Sequence, residues 1–220
     1  MIPHNRPYIT LDDKAAVEAV LSSGCIAQGP AVKSLESRFV DYFGEGVACA
    51  LSSGTAALYL ALKALGAGPS NIVAIPTYAC SALLNAIFMA GATPKIVDIK
   101  PDNFCIDPAE VEAQAADATH VIAVHTFGAP ADVKTLQSQG RIVIEDCCQA
   151  LGGQVSKRPL GGKSGVAVFS FYATKIVTGG QGGLLWSRKA MLAEKARDYR
   201  EFDCRKSYVQ RFNFQMTDIQ

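Results

Sequence analysis

Short apolar runs of valine, isoleucine and alanine alternate along this 220-residue chain with segments of helical periodicity, and that alternation admits few folds. "GVACALS", "NIVAIP", "PKIVDI", "HVIAVHT" and "RIVIED" read as strands. Between them, "GTAALYLALKALG", "ACSALLNAIFMAG", "DPAEVEAQAA" and "ADVKTLQSQG" read as helices. Upstream, "LDDKAAVEAVLSS" has helical spacing behind a candidate N-cap, Thr10, and "PAVKSLESRFVDYFG" is a second helix from Pro30 to a stop at Gly44. Downstream, "GVAVFSF" and "GGLLWS" read as strands and "RKAMLAEKARDYREF" as an amphipathic helix. The pattern predicts βαβ units in one α/β domain, with a sheet covered by helices on both faces. There is no internal repeat, low-complexity tract or linker.

Composition removes several classes of function. Apolar residues make up 49% of the chain, charged residues 19%, and the formal net charge is +1, so nothing electrostatic calls for nucleic acid or an anionic membrane. The longest mostly apolar stretch, "ACSALLNAIFMAGA", is too short to span a bilayer and contains Asn85. The start, "MIPHNRPYITLDDK", lacks the features of a secretory signal. Seven cysteines without a C-x-x-C pair suggest neither a disulfide framework nor a zinc site, so a reducing cytosol is expected.

In an open α/β sheet, ligands bind where the loops leaving the C-terminal strand ends converge. Those loops are "SSGT" (52–55), "PTY" (76–78), "HTFG" (125–128), "EDCCQ" (145–149) and "SFYATK" (170–175). In the first, a helix starting at about Gly54 offers free N–H groups, with the Ser53 and Thr55 hydroxyls, to a phosphate. An ordinary capped helix reads the same way, and neither a P-loop lysine nor a G-x-G-x-x-G is present. Asp146 ends an apolar strand, where a carboxylate needs a cation or donor unless it serves a turn or helix cap. Gln149, three residues on, both donates and accepts. Tyr78 follows another strand end and either packs in the core or lies against a flat ligand. Lys175 sits between two buried-looking runs, five residues after Ser170. A solvent-facing lysine is the ordinary alternative.

One ligand uses all of these groups together. Pyridoxal 5′-phosphate needs a phosphate cradle, a stacking aromatic ring, a carboxylate at its ring nitrogen and a lysine for its aldehyde. On "GCIAQGPAVKSLE", "SSGTAAL", "PTYACSALLNAIFMAGATPKIVDI", "VHTFGAPADV", "EDCCQALGG", "FSFYATKIVTGGQGG" and "RFNFQMTDIQ", the chain resembles the DegT/DnrJ/EryC1/StrS family of sugar aminotransferases. The resemblance runs over essentially its whole length. It implies an aspartate-aminotransferase-like, fold-type I large domain with a mostly parallel central sheet. It also implies that Lys175 condenses with the cofactor and Asp146 partners the pyridine nitrogen. Tyr78 matches the stacking residue, Gly54, Thr55 and Ser170 match phosphate-binding positions, and Gln149 matches a Gln-or-His position beside the cofactor. The implied substrates are an amino donor, glutamate or a similar compound, and a keto-sugar, usually nucleotide-linked.

There are departures. Gln181 stands where the family usually has Glu, and Gln215 replaces an arginine in "NFQM". Residues 205–216 resemble a segment that crosses to the cofactor phosphate of a neighbouring subunit, which makes Asn213 a candidate and a homodimer the expected assembly. Residues 1–220 correspond to the N-terminal segment plus the large cofactor-binding domain, with the family's smaller C-terminal domain expected to be absent. Two alternatives stand beside the aminotransferase. One is a family dehydratase, which carries His at the lysine position and is disfavoured by Lys175. The other is a non-catalytic remnant that binds cofactor and dimerises.

Overall fold

Seven of the apolar runs pair into one sheet in the computed structural model, which describes residues 2, 5–204 and 206–220. In chain order the sheet strands are β1 (Val47–Leu51), β2 (Ile72–Pro76), β3 (Thr93–Val97), β4 (His120–Val124), β5 (Ile142–Asp146), β8 (Val166–Ser170) and β9 (Gly183–Ser187). Two-residue strands β6 (Gln154–Val155) and β7 (Arg158–Pro159) form a separate hairpin that the sequence pattern did not suggest. The order across the sheet is β1-β9-β8-β5-β4-β2-β3. All pairings from β8 to β3 are parallel, while β9 runs antiparallel to both of its neighbours, β1 and β8. The "GGLLWS" strand therefore enters the sheet from the end at which the others leave it. Its glycine-rich start consequently lies among their C-terminal loops.

Alternation along the buried strands builds a core on each face. Cys49, Leu51, Val73, Ile75, Ile122, Ile144, Val168 and Leu185 belong to one core. It is covered by α3 (Gly54–Ala64), α4 (Ala82–Met89) and α7 (Ala190–Arg200). On the other face, Ala48, Ala50, Phe169, Leu184 and Trp186 meet Val32 and Phe39 of α2 (Pro30–Phe43). Val121, Ala123 and Val143 meet α5 (Pro108–Gln114) and α6 (Val133–Ser138) on that same face. By the same alternation, the neighbours Glu145 and Asp146 face opposite sides of the sheet.

Side chains finish what the backbone leaves open. The outer edge of β1 is closed where the Ala50 N–H donates to Glu36 (2.8 Å) and the Ala48 and Ala50 carbonyls accept from Arg197 (2.6 Å) and Arg200 (2.9 Å). Helix α2 has Gly29 at its N-cap and no side-chain cap of its own. Asp218, from the far end of the chain, instead accepts the N–H groups of Gly29 (2.7 Å), Ala31 (3.0 Å) and Val32 (3.0 Å). Helix α1 (Leu11–Ser23) starts at Thr10, as its sequence indicated, in a reciprocal capping box with Asp13, and it has no buried residue. All seven cysteines are free. Among the described residues no helix is long and apolar enough to cross a membrane.

Candidate active site

Strand register explains why distant loops meet. Gly183, first residue of β9, pairs with Leu51 on one side and Ser170 on the other. That pairing brings the "SSGT" turn and the end of β8 to the two flanks of one residue. Only glycine fits there, because a Cβ on Gly183 would lie 2.3 Å from the Ser53 carbonyl carbon. The next turn is just as close. A Cβ on Gly54 would lie 2.9 Å from Ser170 Cβ and 3.3 Å from both Ser170 Oγ and Cys148 Sγ. Helix α3 begins at Gly54, as the sequence predicted. Ser53 Oγ accepts the Ala56 N–H (3.1 Å), so Gly54 and Thr55 occupy the open first turn without intrahelical partners for their own N–H groups.

Asp146 closes β5, level with Val124 and Val168, and is 4% exposed. Its carboxylate turns forward to accept the Cys148 N–H (2.9 Å). Burial pushes this carboxyl above its ordinary value, while the Cys148 donors and the positive charge of Lys175 pull it back. Lys175 is half-buried in a turn whose backbone N–H donates to the Tyr172 carbonyl (2.9 Å). Its charge also acts on Cys148. Asp146, Cys148, Gly54 and Ser170 thus adjoin one another, and the charge of Lys175 acts on two of them, Asp146 and Cys148.

The remaining candidates lie beside or apart from these residues. Gln149 Oε1 accepts the Phe127 N–H (3.1 Å). Tyr78 is about half exposed, in tilted contact with Phe104 (5.6 Å between centroids) and Phe127 (6.1 Å). Both phenylalanines adopt left-handed backbone angles, φ 59° and 53°, which a bulky residue holds only when its surroundings enforce them. Thr126 supplies part of that enforcement by donating its hydroxyl to the Phe104 carbonyl (3.1 Å). Asn213 lies on a segment fastened to the site by the Ser52 N–H, which donates to the Phe214 carbonyl (2.8 Å). The Asn213 side chain is exposed and shares no hydrogen bond with the other candidates among the described residues. Arg205, the first residue of the proposed crossing segment, lies outside the described residues.

Behind Asp146 is a pair to which sequence reasoning gave no role. His125 and Glu145 are each 1% exposed and 2.9 Å apart, Nε2 to Oε2. The Ala131 N–H can only donate, and it points at His125 Nδ1 (3.1 Å), so the ring proton sits on Nε2 and is donated to Glu145. Glu145 also accepts the N–H groups of Gly161 (3.1 Å) and Ser164 (2.5 Å). Burial opposes ionisation of Glu145, but these donors outweigh it and hold the carboxyl below its ordinary value. One carboxylate thereby ties the loop after β4 and the loop before β8 to the end of β5. Both residues stood in the loops marked by the sequence, "HTFG" and "EDCCQ". Their pairing follows only from the β4–β5 register.

Comparison with known proteins gives this arrangement a context. The chain is similar to the aminotransferase TlmJ of Streptoalloteichus hindustanus (28% identity, TM-score 0.93, 100% of this chain and 63% of that one). It is similar to Spr1654 of Streptococcus pneumoniae, described as a sugar aminotransferase and solved in PMP and PLP forms. For the PMP form the identity is 26% and the TM-score 0.92, over 100% of this chain and 65% of that one. DesV of S. venezuelae shares 32% identity at a TM-score of 0.86, over 95% and 59% of the two chains. This chain therefore spans roughly three-fifths of the length of these solved relatives. The α/β architecture is the fold-type I arrangement that the resemblance implied. A sequence profile of the DegT/DnrJ/EryC1/StrS aminotransferase family matches residues 7–220, and the chain belongs to that family.

Proposed function

We propose that these 220 residues are the N-terminal segment and large cofactor-binding domain of a pyridoxal 5′-phosphate-dependent sugar aminotransferase. It would work in a reducing cytosol and move an amino group from glutamate, or a similar donor, to a keto-sugar, usually nucleotide-linked. The smaller C-terminal domain lies outside these residues. The observation that carries the reading is the buried Asp146, on which the charge of Lys175 acts, tied by the Cys148 N–H to a residue packed against a helix start so tight that Gly54 has no room for a Cβ. The residues present fit the cofactor: an anion cradle, a buried carboxylate and an amine whose charge acts on it, with an aromatic face on an adjoining loop.

When bound, pyridoxal phosphate supplies an aldehyde that condenses with amines and a ring that accepts the electrons released at a substrate carbon. Gly54 and Thr55 would receive its phosphate with first-turn N–H groups, helped by the Ser170 hydroxyl. Tyr78 would cover one face of the ring, and Gln149 would sit beside it. Lys175 would supply the amine that holds the aldehyde and, once displaced by the donor, move a proton at the donor's α-carbon. Asp146 would hold a proton on the ring nitrogen. The family dehydratases carry His where this chain has Lys175, so that alternative is disfavoured.

Asp146→Ala should retain the cofactor, because Lys175 and the cradle are untouched, yet react slowly with glutamate. The lost charge-assisted hydrogen bond is worth roughly 1.5–3 kcal/mol. Acting wholly on the transition state, that slows the half-reaction about ten- to a hundredfold. The measurement is the decay of the cofactor's visible absorbance under glutamate. Equal decay in both proteins makes Asp146 a structural carboxylate. No decay in wild type with any amino donor instead favours a cofactor-binding unit without turnover.

The proposed assembly is a homodimer with Asn213 reaching the neighbouring subunit's cofactor phosphate. Its support is surface left unpaired by the chain itself. Helix α1 buries nothing, Leu11 and Leu21 are exposed on it, and Tyr208 is exposed on the Asn213 segment. Light scattering at working concentration should give twice the chain mass. A strictly monomeric species with cofactor bound contradicts this.

A further inference from the structure

One residue fastens the loop after β4 at its beginning, middle and end. The His125 N–H donates to the Asp146 carbonyl (3.0 Å), and the His125 carbonyl accepts the Gly128 N–H (3.2 Å). Its ring reaches the far end, where Nδ1 accepts the N–H of buried Ala131 (3.1 Å). The ring is itself held by Glu145, which accepts from Nε2 (2.9 Å). Between these anchors stands Phe127, exposed and at φ 53°, its ring centroid 6.1 Å from that of Tyr78. The same loop seats Phe104, the other ring against Tyr78. The Thr126 hydroxyl donates to the Phe104 carbonyl (3.1 Å), and the Ala129 carbonyl accepts from Cys105 Sγ (3.4 Å).

We propose that His125 is a positioning residue for Tyr78: its ring, clamped between Glu145 and the Ala131 N–H, sets the loop that holds Phe127 and Phe104 against the Tyr78 ring. A left-handed backbone at a bulky residue persists only while its surroundings impose it. For Phe127 the near side is imposed by Gln149, which accepts its N–H (3.1 Å), and the far side by the His125 ring at Ala131. Tyr78 is about half exposed, and among the described residues these two phenylalanines are the aromatic rings it meets. A ring free to turn offers its face to a flat ligand only part of the time. Bracing it lowers the ordering cost of binding. His125 is 1% exposed, so it acts through the loop and not by touching a ligand.

The inference rests on the reading of Tyr78 as the residue that covers the cofactor ring, and its test separates the two. The dissociation constant of pyridoxal 5′-phosphate is measured by spectroscopic titration, with urea unfolding of the same samples recording the fold. His125→Gln keeps a donor for Glu145 and removes the acceptor for Ala131, whereas His125→Asn places an amide oxygen where Nδ1 stood. Each is made in wild type and in Tyr78→Ala. In wild type, His125→Gln should weaken binding about three- to tenfold and His125→Asn by less than about twofold. In Tyr78→Ala neither should change binding by more than about twofold, because the ring they position is gone. Phe127→Ala trims an exposed side chain, should follow the pattern of His125→Gln, and decides the matter if that buried variant does not fold. Equal weakening in both backgrounds overturns the proposal, since a merely structural loss does not depend on Tyr78. So does wild-type binding by His125→Gln or Phe127→Ala, or an asparagine variant as weak as the glutamine one. If Tyr78→Ala itself binds as tightly as wild type, the reading of Tyr78 fails and this inference fails with it.

Discussion

Glu145→Ala is expected to destabilise the fold by about 3–5 kcal/mol. The side chain is 1% exposed, so no water waits to replace it. Its removal strands three donors at once: His125 Nε2–H, Gly161 N–H and Ser164 N–H. Each stranded donor forfeits about 1–3 kcal/mol, and partial relaxation keeps the sum below simple addition. Glu145→Gln should lose less, because one amide oxygen still accepts. The acid side of the stability curve supplies a second signature. A carboxyl held below its ordinary value stabilises the fold at pH above the unfolded-state value, and that stabilisation is lost as pH falls through the folded-state value. The alanine variant should lack that part of the acid dependence. Urea unfolding of both proteins over a pH series measures both effects. A loss under about 1 kcal/mol would mean that the pair is an incidental contact.

Lys175→Ala is expected to abolish covalent retention of pyridoxal phosphate while leaving the fold intact. Lys175 lies half-buried in a turn rather than inside a helix or strand, so its truncation removes no core packing. The groups proposed to bind phosphate and ring nitrogen are unchanged, so weak, dialysable binding should survive. Gel filtration followed by visible spectroscopy distinguishes retained from exchangeable cofactor. Retention equal to wild type would show that another amine holds the aldehyde.

The local elements were legible because the forces that make them are local. Thr10 caps α1 and Gly54 opens α3 where side-chain chemistry predicts. Gly44 ends α2 in a left-handed conformation, as expected for a glycine stop. Apart from the edge strand β3, the apolar runs became strands because residues buried on both faces leave no polar side to misplace. What was hidden depends on pairing across long stretches of chain. Nothing in "GGLLWS" says that it runs antiparallel, and that direction is what sets Gly183 between Leu51 and Ser170. Asp218 reads as an ordinary acidic residue near the end, yet it caps a helix 186 to 189 positions away. His125 and Glu145 are 20 positions apart and meet only through strand register. In the candidate site, Lys175, Asp146, Gly54 and Ser170 were singled out from residue type at strand ends; Gly54 and Ser170 lie against each other, and the charge of Lys175 acts on Asp146. Asn213 came from resemblance alone, and its side chain is exposed.

The central claim is that Lys175 is the residue this chain offers to the cofactor aldehyde. The direct measurement is to load the protein with pyridoxal phosphate, reduce it with borohydride, digest it and locate the added mass. The account predicts label on the peptide containing Lys175 and on no other lysine. Label on another lysine, or none on a folded protein, would contradict it.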